Sequence, residues 1–402
     1  MQVWCGVDWA EHHHDVAFVD DDGTLLVKQR ITDDATGFRQ LLELLTVQTA
    51  LSSKPISVAI ETSRGLMPAA IMAAGFTVYA INPLSVSRYR DRHSPSRAKS
   101  DAADALVLAN ILRTDRDNHR PVPADSELVK SLRVLARAQQ DAVWDRQQVA
   151  NKLRSLLREF YPAFLACFPD LTLMGARVAL GLAPSPARAR MLRKSSVAAG
   201  LRRGGRTRGV DAEAERIVTG LRQEQLRQLQ QVEDAMSLQA QAYLHALNAA
   251  IDNVTNLEAS LTAVFERHPD KAVITSFPGL GVVLGARLLA EIGDDRTRFA
   301  DARGLKAFAG TAPVTRASGL KTSVTMRVVR NKRLHQAAYL WTLPLLVHSP
   351  GARAHYDRRR ARGDSYSAAA RNLGNRHLGM LYHCLQTRQL YDENKAFPTP
   401  QA

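Results

Sequence analysis

Val3-Trp4-Cys5-Gly6-Val7-Asp8 is a short apolar run that ends on a carboxylate, and the segments that follow it decide the fold. Asp15-Val16-Ala17-Phe18-Val19 comes next, then the turn Asp20-Asp21-Asp22-Gly23 and the run Thr24-Leu25-Leu26-Val27. Asp-Gly between two apolar runs signals a hairpin, because glycine accepts the positive φ that a tight turn needs. Gly37 to Leu45 has helical spacing, and Ile56-Ser57-Val58-Ala59-Ile60 reads as a further buried strand with Glu61 at its C-terminal end. Pro68 to Ala74 reads as a helix, Thr77-Val78-Tyr79-Ala80-Ile81 as a strand closed by Asn82-Pro83, and Ala102 to Leu112 as a helix. Three early strands followed by strands alternating with helices predict a mixed sheet covered by helices, an α/β domain over residues 1–125.

Residues 126–268 are rich in Leu, Ala, Gln, Arg and Glu and carry almost no strand pattern. Leu128, Leu132, Leu135, Val149, Leu153, Leu156 and Leu157 form one apolar stripe. A second runs from Ala212 to Phe265 through Ile217, Leu221, Leu226, Leu229, Val232, Met236 and Tyr243. Two long helices of this kind predict an antiparallel coiled coil, and taken alone the block reads as a stalk without chemistry. Between the stripes, Leu182 to Gly209 holds eight Arg or Lys residues, Arg202, Arg203 and Arg206 among them, and no acid. That composition suits a flexible phosphate-binding arm, with a solvated basic loop as the plainer reading. Residues 269–402 are mainly α-helical, with a Ser318-Gly319 turn, two helices after Arg333 and a frayed tail past Asp392.

The chain has 402 residues, with 54 Lys plus Arg against 39 Asp plus Glu, a formal net charge of +15. So basic a chain fits a polyanionic partner, nucleic acid first. No run of eighteen or more apolar residues and no signal peptide at the Met1 end are read, which speaks against a membrane. Cys5, Cys167 and Cys384 are too few and too scattered for a disulfide framework or a zinc site, which suits a reducing, cytoplasmic setting.

Asp101 and Asp104 stand at a helix start with i, i+3 spacing and so share one face. Asp8 and Glu61 each end an apolar strand, where a side chain emerges at the sheet's end. Four converging acids cannot all stay ionised without a cation. Hard oxygen donors select Mg²⁺, with Mn²⁺ possible, and leave coordination positions for phosphate and water. A pair of ions about 3.5–4 Å apart can activate a nucleophile and stabilise the leaving oxygen. Singly, each acid could be a cap or a turn residue. Together they match the layout of ribonuclease H/RuvC-like domains. His12-His13-His14 is a mostly solvated run with one member near the acids, since consecutive side chains on a strand diverge and cannot share one ion.

Ser318 lies in Thr315-Arg316-Ala317-Ser318-Gly319-Leu320-Lys321, with small neighbours on each side. Arg316, Lys321, Arg327 and Arg330 are placed to bind a phosphate. A serine can attack a phosphodiester and conserve its energy, provided something removes its proton. The sequence names no such base, and locally a plain Ser-Gly turn is the simpler reading. Pro278-Gly279-Leu280-Gly281 before an apolar helix is similar to the hairpin of helix-hairpin-helix modules, where Gly279 and Gly281 would admit a DNA phosphate to backbone N–H groups. A mere helix-entry turn fits equally.

Gly6-Val7-Asp8-Trp9-Ala10, Ala59-Ile60-Glu61-Thr62 and Lys99-Ser100-Asp101-Ala102-Ala103-Asp104-Ala105 resemble the DEDD domain of insertion-sequence-110 family transposases. Pro278-Gly279-Leu280-Gly281, Phe299, Gly310-Thr311-Ala312-Pro313, Ala317-Ser318-Gly319 and Arg330-Asn331-Lys332-Arg333-Leu334 resemble that family's C-terminal transposase domain. The resemblance covers nearly the whole chain. It implies a RuvC-like domain, a coiled coil and a transposase domain sharing one composite active site, in a bacterial, nucleoid-associated enzyme. It further implies that Asp8, Glu61, Asp101 and Asp104 bind Mg²⁺ and that Ser318 is the nucleophile that links covalently to DNA. Some relatives have two serines before that glycine; here Ala317 occupies the first place. A bridge RNA that pairs with donor and target DNA is implied as well, and a homo-oligomer, a tetramer, in which acids and serine come from different subunits. Base pairing would then choose sequence while the protein reads backbone and shape. Arg88, Arg90, Arg92, Arg97 and the basic middle segment would hold phosphates, as would Arg353 to Arg362 unless that run is only a solvated helix face. The alternatives are a RuvC-like metal-dependent nuclease or Holliday-junction resolvase that uses water, and a nucleic-acid-binding scaffold without activity. The complete acid set speaks against the scaffold.

Overall fold

The computed structural model describes residues 1–93, 101–319 and 321–398, with the side chains of His93, Asp101 and Ala102 excepted. Arg97, Lys99, Ser100 and Leu320 lie outside the described residues. The chain divides into two compact units, Met1–Ala124 and Asp125–Ala402.

In the first unit the elements run β1 (Trp4–Trp9), β2 (His13–Val19), β3 (Leu25–Thr32), α1 (Ala35–Leu51), β4 (Ser57–Ile60), α2 (Leu66–Ala73), β5 (Thr77–Ala80), α3 (Pro83–His93) and α4 (Asp101–Asp115). They build one sheet in the order β3-β2-β1-β4-β5. β1, β2 and β3 form an antiparallel meander, while β4 and β5 run parallel to β1. This is the mixed sheet covered by helices that the sequence predicts. Residue alternation assigns the faces. Val3, Cys5, Val7, Val16, Phe18, Val58 and Ile60 bury against Leu41 and Leu45 of α1 and Ile71 of α2. Trp4, Ala59 and Tyr79 face Val86 of α3 and Leu108, Ile111 and Leu112 of α4. Helices therefore cover both faces, which is why the central strands read as nearly continuous apolar runs.

Gly6 fixes how close α4 comes. A Cβ there would sit 2.1 Å from the Ala105 carbonyl oxygen and 2.5 Å from the Ala109 nitrogen, both backbone atoms that cannot rotate away.

In the second unit the elements run α5 (Glu127–Phe160), α6 (Pro162–Cys167), α7 (Met174–Leu182), α8 (Pro186–Arg190), α9 (Lys194–Arg203), α10 (Val210–Leu221), α11 (Gln230–Glu266), α12 (Lys271–Thr275), α13 (Val282–Ile292), α14 (Ala302–Phe308), β6 (Val314–Ser318), β7 (Lys321–Thr325), α15 (Lys332–His348), α16 (Pro350–Ala361), α17 (Tyr366–Thr387) and α18 (Glu393–Ala396). α5 and α11, of 34 and 37 residues, pack together as a long antiparallel pair. A core forms at each end of it. Val129, Leu132 and Ala136 meet Leu261 and Phe265 in a cluster shared with α13, α15 and α17. Leu153, Leu157 and Phe160 meet Ala240, Leu244 and Leu247 in a cluster shared with α7, α9 and α10. Glu291 of α13 ties the first core to its surroundings: Arg137 of α5 donates to it through two nitrogens at 2.7 and 2.9 Å, and Asn331 donates at 2.7 Å.

Several readings of the sequence are corrected. The basic stretch Leu182 to Gly209 is no flexible arm: it contains α8 and α9, and Leu192, Val197, Ala198 and Leu201 are buried in the second core. The density of arginine on its outer face obscured that apolar spacing. The stripe from Ala212 to Phe265 is two helices, α10 and α11, and Leu226 and Leu229 are 91% and 79% exposed in the segment between them. The Ser318-Gly319 turn is present, but as the tip of a hairpin whose strands β6 and β7 the sequence reading did not give. Three sizeable helices, not two, follow Arg333. Residues 393–397 are anchored rather than frayed: Glu393 accepts bonds from the Ser349 hydroxyl at 2.7 Å and the Gly351 N–H at 2.9 Å, and Phe397 packs on the first core. No helix is long and apolar enough to cross a membrane among the described residues. The three cysteines are free.

Two stability outcomes follow. Gly6→Ala forces α4 off the sheet and is expected to cost about 1–3 kcal/mol, read as a lower urea midpoint. Burial pushes the Glu291 carboxyl up, but the hydrogen bonds from Arg137 and Asn331 outweigh it and hold the group below the ordinary carboxylate range. A depressed acid contributes stability that is full above its unfolded pKa and lost as pH falls through its folded value. Glu291→Gln is therefore expected to lower the melting temperature at neutral pH and to flatten its decline below about pH 4, where unfolded glutamate protonates.

Candidate functional site

Asp8 belongs to the face of β1 that carries Trp4 and Gly6, the face under α4. Gly6 pairs with Ala59 and Val7 with Ile60 in the parallel register. Glu61 follows directly on the C-terminal end of β4. Leu108 packs near Trp4 and Ala105 lies on Gly6, so α4 runs against β1 and directs its N-terminal turn toward Asp8. That turn carries Asp104 and the backbone of Asp101. Asp8 and Glu61 are half-buried and Asp104 is 4% exposed.

Asp104 is not left without a counter-charge: the Arg90 guanidinium of α3 donates to its carboxylate. With Arg90 so engaged, and the Asp101 side chain outside the described residues, no group of three His, Cys, Asp or Glu stands ready to hold a metal ion among the described residues. The donor chemistry nevertheless suits a divalent cation. Three carboxylates approach one end of the sheet, and the most buried of them already takes a positive charge.

A fifth acid on this face escaped the sequence reading. Asp15 of β2 is paired directly across from Asp8, and Arg30 of β3 directly across from Asp15. Residues opposite each other in an antiparallel pair point to one face. Arg30 holds Asp15 through Nε at 3.1 Å and Nη2 at 2.8 Å. The signal available was the two-residue alternation of β2, which puts Asp15 with Ala17 rather than with Val16. The histidine run is corrected as well. His12 is exposed, but His13 and His14 lie in β2 and His14 is fully buried, bonded at 3.0 Å to Asp33. His14 shares the Val16 face, on the far side of the sheet from the acids, and His13 shares the Asp15 face.

In the second unit Ser318 ends β6 opposite Lys321, and Arg316 pairs with Ser323. Alternation places Ser318, Lys321, Arg316 and Ser323 on one face of the hairpin. Arg316, Ser318 and Lys321 are exposed, and the turn begins at Gly319 with φ +57°. Arg330 lies at the foot of the hairpin: its aliphatic stem occupies the space a side chain on Gly310 would need, and it donates to the Arg327 carbonyl at 2.6 Å. Arg333 is built into the scaffold, donating to Asp141 at 2.8 and 3.0 Å beside Trp144.

The other predicted contacts divide by environment. Arg88 and Arg92, one turn apart on α3, line a hollow beside Tyr89 and His119, on a different face from Arg90. Arg202 pairs with Asp211 at 3.2 Å and Arg206 approaches Glu213 at 3.9 Å, while Arg203 is exposed. Gly279, with φ +70°, packs on Pro344, where a Cβ would come within 2.6 Å, so its glycine serves packing. Gly281 caps α13 with open space beside it.

Comparison with known proteins supplies the family. A model of the DEDD transposase domain of IS110, described as a transposase, matches residues 5–162. One described as a transposase of the IS116/IS110/IS902 family matches residues 271–357. The chain is 57% identical over 401 residues, 99% of this chain and 97% of the other, to the candidate mini-circle transposase for IS117 of Streptomyces coelicolor. It is 29% identical over 97% of both chains to the 42 kDa protein of insertion element IS900 of Mycobacterium paratuberculosis. T. thermophilus RuvC in complex with Holliday junction substrate matches 30% of this chain and all of its own at 18% identity, with a TM-score of 0.24 that adds nothing to the strand order. By descent, then, this chain belongs to the IS116/IS110/IS902 family of transposases.

Proposed function

We propose that this protein mobilises an insertion sequence by cutting and rejoining DNA through a covalent Ser318–DNA intermediate. Asp8, Glu61, Asp101 and Asp104 assist it by holding Mg²⁺ or Mn²⁺, and a bridge RNA guides it. Activity on DNA follows from membership of a transposase family. The observation that carries the serine step is the hairpin: Ser318 shares its exposed face with Arg316 and Lys321. Two cations beside a hydroxyl attract a phosphodiester and stabilise the extra negative charge of its transition state.

The Ser318 oxygen attacks phosphorus, and an O–P bond forms as the P–O bond to one sugar breaks. The serine proton is released and the departing sugar oxygen takes one up, so protons balance. Rejoining reverses the step, with a strand hydroxyl displacing the serine. A metal ion bound to the carboxylates would supply Lewis-acid stabilisation of the phosphate oxygens. Until then Arg90 neutralises Asp104, and release of that pair frees the carboxylate for a ligand. A carboxylate domain of this class ordinarily activates water, so the coupling to a protein nucleophile is the distinctive commitment of this reading.

The family resemblance further supports a tetramer in which one subunit gives the acids and another the serine, with the long helix pair forming a coiled coil. Val324 in the hairpin and Met326, Val328 and Val329 just after it, all exposed, support such contact between copies, because clustered exposed apolar residues are costly in water.

Incubation of the full chain with element-end DNA, guide RNA and Mg²⁺ is expected to give a protein–DNA adduct that survives denaturation. Ser318→Ala should abolish it while the fold is retained. Normal cutting and joining by Ser318→Ala would overturn the serine step and favour hydrolysis by water, the alternative nuclease reading. Asp8→Asn is expected to lower cleavage by at least about 100-fold, as loss of a metal-bound charge stabiliser does. The Arg90–Asp104 pair gives a test without turnover. Arg90→Ala leaves a buried carboxylate uncompensated and should cost about 3–5 kcal/mol in chelator, and added Mg²⁺ should restore part of it by linkage. Absence of any Mg²⁺-dependent recovery would remove Asp104 from the metal site.

A further inference from the structure

The helical block between the two matched regions holds a second cationic site that the proposed chemistry does not use. Residues 163–270 lie outside both family matches. Within them a hollow of about 460 Å³ opens where α7, α9 and α11 meet. Arg177, Arg203, His245 and Asn248 line it over a floor that includes Val178 and Leu244, and no carboxylate lines it.

The absence of an acid matters because several arginines of the same block do have one. Arg202 is held by Asp211, Arg216 by Glu213 and Arg227 by Glu233. Arg203 and His245, by contrast, have no ion-pair or hydrogen-bond partner among the described residues. Arg177 is oriented rather than neutralised. Its Nε donates to the Thr172 carbonyl at 3.2 Å and its Nη1 to the Asn248 side-chain oxygen at 2.8 Å. Those bonds fix the plane of the guanidinium and leave Nη2 to donate, the kind of preorganised fork that suits an oxyanion.

Two glycines bring the cations together. A Cβ on Gly200 would lie 2.6 Å from Val178 Cγ1, and one on Gly204 would lie 2.5 Å from Met174 Sδ. Their bare backbone lets the end of α9 settle on α7, which carries Arg203 to the rim beside Arg177.

We propose that this hollow binds a backbone phosphate of a nucleic-acid strand, with Arg177 and Arg203 as its ligands and His245 at the rim. The apolar floor accepts the adjoining sugar. The site rests on the nucleic-acid partner of the proposed function but lies on helices remote in sequence from both the acids and Ser318.

Binding of the full chain to element-end duplex DNA and, separately, to single-stranded RNA tests it, measured by fluorescence anisotropy between about 50 and 200 mM salt. Arg203→Ala with His245→Ala removes exposed side chains and should leave the melting temperature unchanged. One lost phosphate contact should weaken binding several-fold and make the log–log salt slope shallower by about 0.9 on duplex DNA or about 0.7 on a single strand. Whichever probe shows the change identifies the strand that occupies the hollow. Arg203→Lys should restore most of the slope. An unchanged slope on both probes overturns the proposal. So does an equal change from Arg208→Ala, an exposed arginine outside the hollow, since that would mean diffuse attraction only. The Ser318→Ala adduct assay is scored independently, so the serine step and this site can fail separately.

Discussion

The contact of α4 with Gly6 is the constraint on which the first unit depends. Helix backbone lies directly on strand backbone, with the Ala105 carbonyl in the space a side chain would fill. That approach sets the height of α4 above the sheet, and with it the distance at which the α4 N-terminal turn faces the C-terminal end of β1. Two opposed requirements meet there. The apolar part of α4, Leu108, Ile111 and Leu112, is driven onto the sheet by burial, whereas its first turn brings Asp104 to a buried position that needs a counter-charge. The Arg90–Asp104 pair balances that charge.

The second unit solves a different problem. A pair of helices each more than thirty residues long meets along one seam, and each of its ends is built into its own core. At one end Glu291 gathers Arg137 from α5 and Asn331 from the start of α15. Asn331 also caps α15, and its N–H donates to the Phe308 carbonyl. The segment that returns from the serine hairpin is thereby pinned at its foot while the hairpin itself remains exposed. A rigid base beneath an exposed tip suits a nucleophile that must meet a large substrate, since only the tip has to be accessible.

The chain's positive charge is not spread evenly in its effect. Many arginines are consumed by structure: Arg137, Arg216, Arg227 and Arg333 each hold a carboxylate. A count of basic residues therefore overstates the surface available to a polyanion. The cations that remain without acid partners are the ones that shape where a phosphate can sit.

The sequence by itself determined the strands of the first unit, because burial on both faces of a sheet demands the apolar runs around Val7, Val58 and Val78. It also determined the long helices, because their apolar stripes repeat with the helical period. Glu61 was legible as an acid that follows an apolar strand, whereas Asp8 lies one residue inside β1, which runs on to Trp9. Tertiary structure alone decided which basic residues are free. The arginine-rich stretch looked like a loop because its charges outnumber the few apolar positions that anchor it, and Arg90 looked like a phosphate ligand because its partner lies fourteen residues away on another helix. The Asp8–Asp15–Arg30 row and the hairpin face shared by Ser318, Arg316 and Lys321 arise from strand register. Register depends on pairing between separate segments, and no local pattern encodes it.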